Sequence, residues 1–282
     1  MESLLTVRDL TIRYRSAKAG ERAAVEGANW DVARGEVLGV MGESGCGKTS
    51  IALALLGLLS REEAEISGSV LFRGENLLAM SERSLQKIRG AAISMVYQEP
   101  GIALSPVMRV GTQIAEIFRA HRKCSWQKCR DETFAMLDRV GLPSNERIFS
   151  AYPHQLSGGQ LQRIVLAQAL VCEPALLIAD EPTASLDARS RADFVSLLRE
   201  LRQSLGLSLV LISHTPEIQA SLADRILVMK EGKIIEMGRF GDLYAKASHP
   251  YTKALLARRA APAPQTEREQ ESSKREHLVG TL

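Results

Sequence analysis

The sequence predicts an α/β fold built on a largely parallel sheet, and three observations carry that expectation. Short apolar strands alternate with helical segments along most of the chain. One continuous apolar run, Val37–Met41, passes through a Gly-rich turn straight into a helical stretch, as a strand buried on both faces does. A second apolar run, 176–179, ends in the adjacent carboxylates Asp180 and Glu181.

The elements follow in order. Residues 4–14 read as a strand, and 29–42 as strand, turn and strand, with Arg34-Gly35-Glu36 as the turn signal. A helix is expected over 49–59, a strand over 67–72, and a helix over 81–88 with Ser81 as its N-cap. Residues 93–97 form a strand leading to Gln98. From about 111 to 142 the pattern is helical and amphipathic, with Ile114, Ile117 and Phe118, then Phe134, Leu137 and Val140, and no strand signal interrupts it. A helical subdomain is expected there. A turn over 153–160 opens another helix. Strands at 175–179, 207–212 and 226–230 and an amphipathic helix over 190–205 complete the core, and a Glu-Gly-Lys turn precedes Ile234 and Ile235. The stretch from about 258 onward is Pro-containing, polar and charged, and is expected to be a disordered tail.

Composition excludes several classes. With 282 residues, 45% hydrophobic and 24% charged, the chain has enough apolar content for a substantial core and is not disordered as a whole. A net charge of +3 over 36 bases and 33 acids is too balanced for a nucleic-acid binder acting through bulk charge. The longest apolar stretch, 51–59, is far short of the roughly twenty residues of a spanning helix. The charged N-terminus lacks the apolar segment of a signal peptide. Four scattered cysteines suit a reducing cytosol rather than a disulfide scaffold. An intracellular protein without its own membrane span is expected.

Residues 42–49, Gly-Glu-Ser-Gly-Cys-Gly-Lys-Thr, fit the phosphate-binding pattern G-x-x-x-x-G-K-[ST] between a strand and a helix. Glycines let the backbone wrap a phosphate closely, and the helix start adds its positive dipole end. Lys48 is expected to reach the β and γ phosphates and Thr49 to bind Mg²⁺. Asp180 and Glu181 read either as an acidic pair capping the turn before Pro182 or, beside such a loop, as a Mg²⁺ ligand and a residue that orients or deprotonates water. Ser157-Gly158-Gly159-Gln160 opens a further helix with small residues, a second anion-binding start. One loop and two phosphate-binding starts make sense if the second start meets nucleotide held by another copy or a paralogue.

This combination resembles the nucleotide-binding subunit of an ATP-binding cassette (ABC) transporter, in which Leu-Ser-Gly-Gly-Gln, here 156–160, is the signature. The resemblance covers about residues 4–257. It implies a P-loop NTPase cassette over 1–257, with a mainly parallel sheet core, an antiparallel β subdomain and a helical subdomain inserted at about 99–172. It implies nucleotide contacts for Gly42, Glu43, Ser44, Gly45, Cys46, Gly47, Lys48, Thr49 and Ser50, and stacking of Tyr14 on adenine. Gln98 matches the Q-loop glutamine that touches Mg²⁺ and water, so the implied metal set is Thr49, Gln98 and Asp180. Glu181 polarises the water, and His214 matches the switch histidine at the γ-phosphate. Ser157, Gly158, Gly159 and Gln160 face the partner's ATP, and Asp187 in Ser185-Leu186-Asp187 matches the interface D-loop. The implied cofactors are ATP and Mg²⁺. The implied partners are permease subunits, a second identical or paralogous ATPase subunit and, indirectly, a solute-binding protein, with no nucleic acid, at the cytoplasmic face of the membrane.

Finer features point within the family. Residues 97–114 and the segment His-Pro-Tyr-Thr-Lys-Ala-Leu-Leu at 249–256 resemble the oligopeptide, dipeptide and nickel importers. Two departures stand beside them: Ala-Ser-Leu-Asp at 184–187 in place of the group's more usual Thr-Ala-Leu-Asp, and Thr215-Pro216 after the switch histidine, where Asp is common. A soluble ABC ATPase of DNA repair or translation is the alternative, but zinc spacing, a heptad run and a second cassette are all missing; an exporter subunit fits the 249–256 segment poorly. Cys46, inside the loop, is either a thiol that ATP shields from alkylation or an inert small residue. Cys124 and Cys129 flank Trp126 without histidines at metal spacing and read as structural. The basic run from Arg119 to Arg130 reads as a solvated or membrane-facing surface.

Overall fold

The computed structural model describes residues 3–15, 23–60 and 62–257. The tail expected from 258 lies outside the described residues. The chain opens with the long strand β1 (Ser3–Tyr14), followed by β2 (Val25–Ala33), and then β3 (Val37–Met41), whose five residues are all buried. Helix α1 (Lys48–Leu55) stops four residues earlier than the hydrophobic pattern suggests. Gly57 takes a left-handed φ of 59°, and the Gly57 and Leu58 N–H groups donate to the carbonyls of Ala54 and Leu53, a Schellman stop. Arg89 then donates to the carbonyl oxygens of Leu56 and Gly57, at 2.7 and 2.6 Å, satisfying that exposed helix end.

Strands β4 (Ala64–Phe72) and β5 (Glu75–Asn76) follow. With β1 and β2 they make an antiparallel four-stranded sheet in the order β2-β1-β4-β5. Helix α2 (Glu82–Ile88) has Ser81 as its N-cap, accepting from Ser84. After β6 (Ile93–Val96) come five helices in succession: α3 (Pro100–Ala103), α4 (Val110–His121), α5 (Trp126–Arg139), α6 (Glu146–Phe149) and α7 (Gly158–Leu170). The helical stretch expected over 111–142 is thus built from two helices. The Ser125 side chain caps a new start by accepting from the Lys128 N–H, so the chain leaves one axis and begins another.

The remainder alternates β7 (Leu176–Asp180), α8 (Ala188–Leu205), β8 (Ser208–Ile212), α9 (Pro216–Leu222), β9 (Arg225–Lys230) and β10 (Lys233–Arg239), and closes with α10 (Phe240–Lys246) and α11 (Pro250–Ala257). Six strands form the central sheet in the order β10-β9-β3-β8-β7-β6, parallel except for the β9–β10 hairpin.

Two apolar cores lie against this sheet, and the period of two along each strand feeds both. Leu177 and Ala179 of β7 and Leu209 and Leu211 of β8 pack with α4, α5, α7 and α8. Leu176, Ile178, Val210 and Ile212 turn to the other side, against α1 and the antiparallel sheet. Each such Leu, Ile or Val side chain contributes about 1.5–3 kcal/mol on burial, so these central strands are strongly fixed in register. A third, smaller cluster joins Met41, Ile226 and Val228 to Leu255 and Leu256 of α11. It docks the C-terminal helix beside the end of β3, from which the Gly-rich loop departs.

Candidate active site

The Gly-rich loop is held by its own geometry. Gly47 is the N-cap of α1 with φ 104°, and a Cβ there would stand 2.1 Å from the Ala24 carbonyl oxygen, so no side chain fits. The Lys48 amine turns back across the loop and donates to the carbonyl oxygens of Gly42 and Glu43, each at 2.8 Å. That places a cation within the curve of the loop. From outside, the Glu43 N–H donates to the Tyr251 hydroxyl at 3.0 Å, tying α11 to the loop's first turn.

Neighbouring parallel strands bring the acidic groups to the same edge. Thr49, in the first turn of α1, donates through its hydroxyl to Asp180 Oδ2 at 3.0 Å. Asp180 is buried, and that burial pushes its carboxyl above the ordinary range; the Thr49 bond opposes the shift and the Glu181 charge adds to it. Glu181 has a left-handed φ of 46°, unusual for a residue with a side chain, which turns the chain sharply out of the sheet. Its Oε1 accepts from the His214 backbone N–H at 2.9 Å and lies 2.7 Å from His214 Nδ1, while Ser213 Oγ donates to Oε2 at 3.4 Å. The carboxylate is therefore oriented from the end of β8, and only 12% of the Glu181 side chain is exposed against 66% of the His214 side chain.

These groups line one open cavity of about 820 Å³, ample for a nucleotide-sized ligand. Tyr14, Ser44, Gly45, Gly47, Lys48, Thr49, Ser50, Gln98, Asp180, Glu181 and His214 all face it. Tyr14 is pinned through its hydroxyl, 3.0 Å from Ser50 Oγ. Gly42, Glu43 and Cys46 belong to the loop without lining the cavity. The Cys46 side chain is instead part of the core, and burial raises its thiol, which suits an inert loop residue better than a site of alkylation.

Ser157, Gly158, Gly159, Gln160 and Asp187 do not line this cavity either. They stand at two other helix starts. Ser157 caps α7 in a capping box with Gln160, with Ser157 and Gly158 exposed. Asp187 caps α8, accepting from the N–H groups of Arg189 and Ser190, and the Ser190 bonds hold its carboxyl below the usual range. The cavity wall also includes residues with no sequence motif, namely Ala23, Ala24, Glu231 and Gly232. The last two form the β9–β10 turn, where the Gly232 N–H donates to the Cys46 carbonyl at 3.2 Å.

A family model described as ABC transporter matches residues 25–184. The chain belongs to the ABC transporter family. It is 41% identical over 257 residues to the dipeptide transport ATP-binding protein DppD of Bacillus subtilis, covering 91% of this chain and 76% of that protein. It is 40% identical to the oligopeptide transport ATP-binding protein OppD of Escherichia coli, over 90% of this chain and 75% of that one. Among solved structures, the dimeric ATP-binding cassette MJ0796, in a post-hydrolysis state bound to ADP and Pi, aligns with a TM-score of 0.74 at 25% identity, over 84% of this chain and 98% of that chain. The mixed parallel and antiparallel sheets with their run of helices are the fold of an ABC ATPase cassette. Among the described residues of this cassette, no helix is long and apolar enough to cross a membrane.

Proposed function

We propose that this cassette binds and hydrolyses ATP to energise the import of peptides or a related solute through separate permease subunits. The observation that carries this reading is the convergence of Lys48, Thr49, Asp180, Glu181, Gln98 and His214 on one cavity. The relatives named for dipeptide and oligopeptide transport support the choice of cargo class. So does the 249–256 segment, whose helix packs beside the loop.

In this reading the loop amides and Lys48 hold the phosphates, and Tyr14 stacks on the base. Thr49, Asp180 and the Gln98 amide oxygen are hard oxygen donors of the kind that suit Mg²⁺, and the Thr49–Asp180 contact already sets two of them side by side. When bound, Mg²⁺ supplies charge neutralisation on the phosphate oxygens. Glu181 orients the attacking water and receives its proton, with the carboxylate positioned by the His214 N–H and Ser213 Oγ. The His214 side chain, largely exposed at the cavity mouth, contacts the γ-phosphate. Positioning and charge stabilisation supply most of the rate.

The starts of α7 and α8 lie away from the cavity of their own chain, which supports a head-to-tail dimer, with an identical or paralogous partner. Ser157, Gly158, Gly159 and Gln160 then close on the partner's nucleotide, and Asp187 lies at the interface. The dimeric state of the MJ0796 cassette supports the same arrangement. Such a subunit works at the cytoplasmic face of the membrane, docked on its permeases, with a solute-binding protein acting indirectly.

Glu181→Gln tests the chemistry. It is expected to retain ATP binding and to lose hydrolysis by about a hundredfold or more; near-normal turnover removes Glu181 from this role. Co-purification with membrane subunits supports the transport reading. Recovery of the protein free of membrane partners and bound to nucleic acid favours a repair or translation ATPase instead.

A further inference from the structure

Two of the four cysteines stand together outside the nucleotide cavity. Cys124 Sγ lies 2.9 Å from Cys129 Sγ, and both are free thiols. The helix start creates the pairing. Ser125 is the N-cap of α5, so Cys124 occupies the position before the cap and Cys129 the fourth helical position. In a hydrophobic staple, side chains at these two positions pack on each other across the helix entry. Here both are sulfurs.

Their environments differ. Cys129 is fully buried in the helical region, and burial, reinforced by the adjacent Cys124 sulfur, pushes its thiol well above the usual range. Cys124 is only half-buried, at the N-terminal entry of a fourteen-residue helix. Lys128, the third helical residue, is ion-paired with Glu132 at 2.6 Å. A partly accessible thiol in contact with a buried second thiol is the arrangement of an attacking and a resolving cysteine. The other two cysteines are placed differently. Cys172 directs its sulfur at the Ile117 carbonyl and Cys46 approaches the Lys48 amine.

We propose that Cys124 and Cys129 are a built-in oxidation site that closes to an intramolecular disulfide on reaction with a peroxide. The Cys124 thiol loses its proton and attacks one oxygen of hydrogen peroxide. The O–O bond breaks, and hydroxide leaves and takes up that proton as water. Cys124 is now a sulfenic acid. The Cys129 sulfur attacks the sulfenyl sulfur, the S–O bond breaks, and the hydroxyl departs with the Cys129 proton as a second water. Two thiols lose two electrons and one peroxide gains them. The sulfurs need to approach by only roughly 0.9 Å to reach bonding distance.

The sequence supplies a direct readout. Lys123 and Lys128 bracket Cys124, and Cys129 precedes Arg130, so trypsin releases Cys124 and Cys129 on separate short peptides unless a disulfide joins them. The reduced full-length protein is treated with stoichiometric hydrogen peroxide, alkylated under denaturing conditions and mapped. Alkylatable thiols are expected to fall from four to two, with residues 124–128 linked to 129–130. In Cys129→Ser, dimedone is expected to trap Cys124 as sulfenic acid; in Cys124→Ser, Cys129 is expected to stay reduced. The wild-type map decides the question even where a variant folds poorly. Oxidation of Cys46 or Cys172 in preference, a disulfide between two chains, or an unchanged count of four thiols overturns the proposal.

Discussion

The Tyr251 hydroxyl accepts a hydrogen bond from the Glu43 backbone N–H at 3.0 Å, joining α11 to a loop 208 residues earlier in the chain. The ring is held in turn by Lys230, whose amine lies 5.3 Å from its centroid. Residues 249–256, which mark the importer group by resemblance, thus bear directly on the phosphate loop.

Tyr251→Phe keeps the ring and its cation contact and removes the hydroxyl that accepts from Glu43. One neutral hydrogen bond contributes about 0.5–1.5 kcal/mol. Loosening the first turn of the loop lowers the fraction of molecules ready to bind, so the Kd for ATP is expected to rise by up to about tenfold. Thermal stability is expected to change little, because the apolar packing of α11 through Leu255 and Leu256 is untouched. Nucleotide titration and a melting curve on the same variant separate the two effects. An unchanged Kd removes Tyr251 from any role in shaping the loop.

Gly47→Ala addresses the loop from within. The added Cβ meets the Ala24 carbonyl oxygen at 2.1 Å, at a φ that side chains rarely adopt. Neither the backbone of β2's approach nor the start of α1 can shift without disturbing its neighbours. A loss of more than about 1 kcal/mol in unfolding free energy is expected, with ATP binding abolished. Urea denaturation and equilibrium binding check the two parts.

Much of this site was legible in the sequence, because Lys48, Thr49, Asp180, Glu181 and His214 each sit at the end of a buried strand or the start of a helix. Parallel strands put such ends on one edge, so local pattern was enough to gather them. Tyr251, Ala24 and the Glu231-Gly232 turn were not legible as wall or support of the cavity. Their proximity follows from the strand order β10-β9-β3, which brings the β9–β10 turn and α11 beside the loop, and no local spacing encodes that order. The helical stretch 111–142 was given no internal boundary, although Ser125 carried the capping signal for α5. Cys124 and Cys129 read as structural for want of histidines at metal-ligand spacing. Their contact depends on that same unrecognised helix start.

Asp180→Asn separates stability from function. Burial makes the charged carboxylate of Asp180 unfavourable in the folded chain. Asparagine is nearly isosteric and keeps an oxygen for the Thr49 hydroxyl. The nucleotide-free variant is therefore expected to melt at a higher temperature than the wild type while losing Mg²⁺-dependent ATP hydrolysis. Differential scanning calorimetry without nucleotide checks the first part, and an unchanged or lower Tm contradicts the idea that this carboxylate is held at a cost to stability.

His121, at the end of α4, gives the fold a pH dependence on the acid side. Its ring faces Gly90, and a Cβ on that glycine would stand 2.9 Å from Nε2. Burial, and then the charge of Arg122, lower its pKa below the ordinary value of 6.5. Well above pH 6.5 the ring is neutral in both folded and unfolded chains and contributes no slope. As pH falls below 6.5 the unfolded chain takes up a proton first, so stability is lost progressively until the folded ring also protonates. His121→Asn removes the titration. Between pH 7 and pH 5, the Tm of the wild type is expected to fall more steeply than that of this variant, with the two curves parallel above neutrality. Equal slopes on the acid side assign the wild-type loss to the carboxylates instead, among which Glu82, held low chiefly by its hydrogen bond from Arg89, loses its contribution only at more acidic pH.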